Sequence, residues 1–104
     1  MEIGRQTADA FHTSIQRKGR FAMNSRVAVI AIIIEQVEKS SAVNALLHDC
    51  NEQIIGRMGL PYRAKNVYII NIVMDATMDQ INALAGKLGR IEGVTAKAVY
   101  SGTV

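Results

Sequence analysis

The sequence predicts an α+β domain of βαββαβ order, a four-stranded antiparallel sheet with two helices on one face. Three observations carry this. Two runs crowded with β-branched residues stand at Arg26 to Ile34 and Val67 to Met74. Each is followed by a segment whose apolar residues recur every three to four positions. Breaks bearing glycine, proline or capping residues separate the pieces.

The first strand, Arg26 to Ile34, ends at Glu35 and Gln36. In the helix after it, Val43, Leu46, Leu47 and Cys50 fall at i, i+3, i+4 and i+7 and share one face. Ser40 or Ser41 reads as its N-cap, and Asn51 as its end. Ile54 to Met58 reads as a short second strand, with Gly59-Leu60-Pro61-Tyr62 turning the chain. Val67 to Met74 is the third strand. Thr77-Met78-Asp79-Gln80 has the form of a capping box. It opens a helix that aligns Ile81, Leu84, Ala85 and Leu88, with Gly89 as the residue past its end. Gly93 precedes a last strand, Val94 to about Tyr100, after which the chain frays. Right-handed crossovers put the first and third strands in the centre, a ferredoxin-like arrangement.

The 104 residues suffice for one domain, expected over 25–104, after an N-terminal extension over 1–24 that is flexible or partly helical. In the extension, Thr7 is placed to cap a short helix towards Lys18, and Met23 is an alternative first residue. Gln16 to Arg20 would make a short basic arm. Met1 to Ser25 holds Arg5, Arg17, Lys18 and Arg20 against Glu2 and Asp9, which leaves the domain only +1 of the formal +3. A domain so close to neutral shows no electrostatic footprint for nucleic acid. The lone Cys50 cannot form an internal disulfide and fits a reducing compartment. The longest apolar run, Val27 to Ile34, is far short of a membrane span, and the polar start does not read as a secretory signal. A cytoplasmic protein is expected.

The central strands are apolar on both sides. Val27, Val29, Ala31 and Ile33 point one way, and Ala28, Ile30, Ile32 and Ile34 the other. In the third strand Val67, Ile69 and Val73 oppose Tyr68, Ile70, Ile72 and Met74. Two helices cover one face only, and an open antiparallel sheet ordinarily shows polar residues on its free face. A cover is therefore expected: another subunit, the extension or an apolar ligand. A homo-oligomer, dimer or tetramer, is the most economical.

Gly56 to Arg63 concentrates two arginines, two glycines, the only proline and a tyrosine. It reads either as a structured turn with solvated arginines or as an anion-recognising loop at a subunit boundary, because guanidinium forks suit carboxylate or phosphate. The candidate ligand residues are Arg57, Met58, Gly59, Pro61, Tyr62 and Arg63, with Glu35 from the turn after the first strand. The segment lacks the Gly-Lys-Ser/Thr ending of a phosphate-binding P-loop. His48 and Cys50, two apart, do not share a helix face, so no metal site is expected. No cofactor is implied. Glu35, Asp75 and Asp79 sit where capping and solvation explain them, and Met58, Met74 and Met78 read as core or interface filler. No nucleophile elbow or triad is present, so an enzyme is not expected. Exposed aromatics for RNA stacking reduce to Tyr68 alone.

Taken together, Val27 to Glu35, Val43-Asn-Ala-Leu-Leu-His48, Ile55-Gly-Arg-Met-Gly-Leu-Pro-Tyr-Arg63, Ala85-Gly-Lys-Leu-Gly89 and Gly93-Val94 resemble the small ACT-like regulators of the iron-only hydrogenase system. Those proteins are also similar to the C-terminal domain of nickel-responsive regulators. The resemblance covers about Arg26 to Tyr100, and the Gly-Arg-Met-Gly-Leu-Pro-Tyr run is its specific part. It implies a cytoplasmic bacterial regulator that oligomerises through its sheet, linked to hydrogenase expression or assembly. It brings no catalytic or ligand residues. No DNA-binding region accompanies the domain, and two histidines are too few for the nickel site. The expectation is a non-enzymatic module that binds a small-molecule effector at an oligomer interface. The alternative is a protein-interaction module without a ligand, docking through its apolar sheet face.

Overall fold

The computed structural model describes residues 24–102; the expectations for residues 1–23 and the last two residues lie outside these. The element order is β1 (Arg26–Ile34), α1 (Ser40–Asp49), β2 (Ile54–Tyr62), β3 (Val67–Ala76), α2 (Met78–Gly89) and β4 (Val94–Tyr100). Single 3₁₀ turns, Val37–Lys39 and Asn51–Gln53, flank α1. The strands form one antiparallel sheet in the order β2-β3-β1-β4, so β1 and β3 are central, as the crossover rule predicts.

Register follows from which side chains reach the helices. Ile32 stands opposite Ile70 on one flank and Ala96 on the other. Ala28, Ile30, Ile32 and Ile34 of β1 and Ile70, Ile72, Met74 and Ala76 of β3 are buried. They pack under Val43 and Leu47 of α1 and Ile81, Leu84 and Leu88 of α2. Each such large side chain contributes about 1.5–3 kcal/mol on burial. Slipping β1 by one residue would turn this row out to solvent, so the register is tightly specified.

Four expectations need correction. The turn expected at Gly59 to Tyr62 is strand: β2 continues to Tyr62, and the chain reverses at Arg63 to Asn66, where Asn66 takes φ 54. Pro61 is tolerated because β2 is an edge strand. Neither Ser40 nor Ser41 caps α1. Lys39 occupies the cap without a side-chain bond, because the 3₁₀ turn runs straight into the helix. The first helix ends at Asp49 rather than at Asn51, which begins the second 3₁₀ turn. Gly89 lies inside α2, and Arg90 caps it at an ordinary φ of −85. The left-handed residue between α2 and β4 is Gly93, at φ +79, where a Cβ would come within 2.6 Å of the Gln36 side chain. The capping box is present: Thr77 Oγ1 accepts from the Gln80 backbone N–H at 3.2 Å, and Gln80 Oε1 accepts from the Thr77 N–H at 2.9 Å.

Candidate functional site

Two features outside the core have functional shape: a sheet face that no other described element covers, and a cavity at one end of it. The outer face carries Val27, Val29, Ala31 and Ile33 from β1. Directly opposite them on β3 stand Asp75, Val73, Asn71 and Ile69, and β4 brings Val99, Lys97 and Thr95 opposite Val29, Ala31 and Ile33. Val27, Val29 and Ile33 are each about 40% exposed (43, 38 and 42%), and Val99 is 69% exposed. The face is less uniformly apolar than expected, since Asn71, Asp75, Thr95 and Lys97 also lie on it. Its two charges are of opposite sign. One Asp75 carboxylate oxygen is buried with no hydrogen-bond partner among the described residues.

A β-bulge decides how β2 joins the two features. Ile54 pairs with Met74, but Gly56 pairs with Val73, so one residue is inserted between them. The insertion reverses the alternation. Arg57, Gly59 and Pro61 consequently turn to the helix side, opposite Ile72, Ile70 and Tyr68, while Met58, Leu60 and Tyr62 join the outer face. Arg57 reaches α1, where its Nη2 donates to Asn44 Oδ1 at 2.9 Å. Gly59 has another role: a Cβ there would sit 2.7 Å from the Tyr68 hydroxyl, so only glycine lets that ring lie across β2.

The cavity, about 350 Å³, opens between the β2–β3 turn and the start of α1. Pro61, Tyr62 and Arg63 line it from β2 and the turn, and Asn66, Val67 and Tyr68 line it from the turn and β3. Val37 and Ser40 close the side towards α1. The turn is held by Lys65 N–H donating to Tyr62 O (3.3 Å) and Asn66 N–H donating to Arg63 O (3.1 Å). Of the seven candidate residues, Pro61, Tyr62 and Arg63 are therefore brought together. Arg57 and Met58 are about 13 Å or more along the strand from Pro61 and Tyr62 respectively. Gly59 acts from beneath Tyr68. Glu35 is not part of the lining; its backbone N–H instead donates to Gly93 O at 2.7 Å. Val37, Ser40, Asn66, Val67 and Tyr68 complete the lining beyond the candidate residues, and of these only Asn66, a polar residue directly before a β-branched run, carries a local sequence signal, that of a turn.

A second, polar hollow of about 330 Å³ lies at the end of α1, among His48, Asp49, Asn51, Glu52 and Gln53. Among the described residues no group of three or more His, Cys, Asp or Glu is placed to hold a metal ion. Cys50 packs partly against the core. Burial pushes its thiol above the ordinary value, with Lys87 acting against this and Asp49 with it. No described helix is long and apolar enough to cross a membrane.

The family model described as "Iron-only hydrogenase system regulator, putative" (TM1266-like) matches residues 26–98. The chain belongs to this family. The structure of protein TM1266 from Thermotoga maritima is similar at 43% identity and TM-score 0.70, over 73% of this chain and 96% of that one. The C-terminal domain of the MgtC protein from Mycobacterium tuberculosis matches at 10% identity and TM-score 0.61, over 79% of this chain and 94% of that one, a likeness of fold alone. No curated protein matches the sequence. The family is thus described as a regulator of the iron-only hydrogenase system.

Proposed function

We propose that this chain is a non-enzymatic, cytoplasmic regulatory module of a bacterial iron-only hydrogenase system. It pairs with further copies through the outer sheet face and binds a small effector where that face ends. The observation that carries the reading is the outer face of β1: three β-branched side chains on a central strand, each about 40% exposed. Large apolar patches of this kind mark interaction sites. A second copy fits because a two-fold contact sets the same patch against itself. The lone Asp75 and Lys97 then offer attraction as well as repulsion. Tyr62 and Val67 belong to both the cavity lining and the outer face. A bound effector would therefore border the contact between copies.

Sedimentation equilibrium tests the assembly. The chain mass is 11.3 kDa, and the expected mass at micromolar concentration is two or more times that value. A mass of one chain under those conditions overturns the pairing. A thermal-shift screen tests the effector, since a ligand that binds only the folded state must raise the melting temperature. Assembly without any shift would favour the interaction module that binds no ligand.

A further inference from the structure

The cavity at the β2–β3 turn has a chemistry more specific than "small effector". Its walls are mainly apolar and partly aromatic: Val37, Pro61, Tyr62, Val67 and Tyr68. Two of them, Val37 at 43% and Tyr62 at 49%, are among the most exposed large apolar residues described. Apolar side chains left wet around a concave site are what a ligand's own apolar body would cover. The tyrosine rings supply flat surfaces, and Gly59 keeps one in place by leaving room for the Tyr68 hydroxyl.

Charge supplies the rest. Among the described residues Arg63 is the only charged one in the lining, and no described carboxylate stands beside it there. Among the described residues its guanidinium has no hydrogen-bond or ion-pair partner, whereas that of Arg57 is engaged by Asn44. A guanidinium fork matches a carboxylate with two parallel bonds. A single fork in a largely apolar cavity suits a group of one negative charge better than a doubly charged phosphate. Ser40, in the first turn of α1, and Asn66 are the uncharged polar residues of the lining apart from the tyrosines, and that turn contains no acidic residue.

We propose that this cavity binds a small carboxylate carried on a planar apolar body. The carboxylate pairs with Arg63, and the body lies against Tyr62 and Tyr68. The inference rests on the regulatory reading above and names the ligand class for that site.

The test is a ¹⁵N–¹H titration of the full chain with 3-phenylpropanoate, its neutral amide 3-phenylpropanamide, and inorganic phosphate. The carboxylate is expected to shift the amides of Ser40, Arg63, Asn66 and Tyr68 saturably. It should bind about tenfold to a hundredfold more tightly than the amide, the range for a hydrogen bond to a charged group. Arg63→Gln should abolish that preference. Arg57→Gln should keep it, and this also controls for a general loss of positive charge. Equal affinity for acid and amide, an unchanged preference in Arg63→Gln, or shifts elsewhere on the chain each overturn the proposal. Phosphate matching the carboxylate on the same amides overturns the apolar-body half of it. Absence of binding in a protein of multiple-chain mass overturns the ligand class and leaves the assembly standing. Saturable binding to a protein of single-chain mass overturns the assembly and leaves the ligand class standing.

Discussion

Ile33→Asp separates the fold from the assembly. Ile33 lies on the outer side of central strand β1, between Ile69 and Thr95, and is 42% exposed. Because the site is already part wet, losing its remaining burial and its β-branched shape costs the single chain about 1–2 kcal/mol. The core row on the opposite side of β1 is untouched, so the chain still folds. In a two-fold pair the position occurs twice. Each copy would then bring an unpaired carboxylate into the contact, at several kcal/mol per ion. Taking about 3 kcal/mol for each gives about 6 kcal/mol in all, and hence a dissociation constant raised by about 10⁴. The assay is sedimentation velocity from micromolar to millimolar protein, with far-UV circular dichroism to confirm folding. Lys87→Ala, on the exposed side of α2, serves as the control that keeps the wild-type mass. A folded Ile33→Asp chain with the wild-type mass would refute the claim that this face is the contact.

The remaining predictions concern the scaffold. Gly93→Ala forces a side chain into φ +79 and against Gln36, so it should cost about 1–3 kcal/mol in denaturant melts; an unchanged midpoint would mean the β4 entry is not held as described. Thr77→Ala removes one arm of the capping box and should cost about 1 kcal/mol, while Thr77→Ser should restore most of it. The Cys50 thiol, raised by burial, should alkylate with iodoacetamide at a higher pH midpoint in the folded chain than in urea. The sign for stability follows. The folded state holds this proton more tightly, so its contribution is fully present below the unfolded thiol's pKa. It is lost as pH rises through the folded value. Melting temperature should therefore fall less steeply with alkaline pH in Cys50→Ala than in the wild type.

The parts of the fold that were legible are those in which one strong local pattern meets no competitor. β1 reads cleanly because β-branched residues crowd it and both its faces are apolar. The start and face of α2 read cleanly because the Thr77 to Gln80 box and the Ile81, Leu84 and Leu88 face agree. The helix ends differ by a cap or a residue, whereas at β2 local and tertiary signals conflict over the kind of structure. Glycine and proline at Gly59 and Pro61 signal a turn, yet the edge position tolerates the proline, and the close approach of Tyr68 explains the glycine. The bulge near Ile55 could not be read from periodicity, because it is defined by pairing with β3. That one inserted residue sends Arg57 to Asn44 and Met58 to the outer face, and so divides a candidate loop that looked continuous in sequence. Of Gly56 to Arg63, only the last three residues line the cavity.

The bulge also ties the two functional features together. With the alternation reversed, Tyr62 faces outward and stands opposite Val67, so the last outer pair of β2 and β3 is part of the cavity rim. A ligand that touches this pair and a second copy that buries it compete for, or share, the same surface. Whichever holds, the coupling is reciprocal: a ligand that changes pairing affinity by some factor has its own affinity changed by pairing in the same factor. Such coupling vanishes if the ligand binds the single chain and the pair equally well. Tyr62→Ala should accordingly reduce ligand affinity and, in the same protein, reduce the dependence of that affinity on protein concentration. Arg63 lies past the end of the strand pair, so Arg63→Gln should reduce the affinity alone. A Tyr62→Ala chain whose weakened affinity still varied with protein concentration as the wild type does would place the link between cavity and sheet face elsewhere.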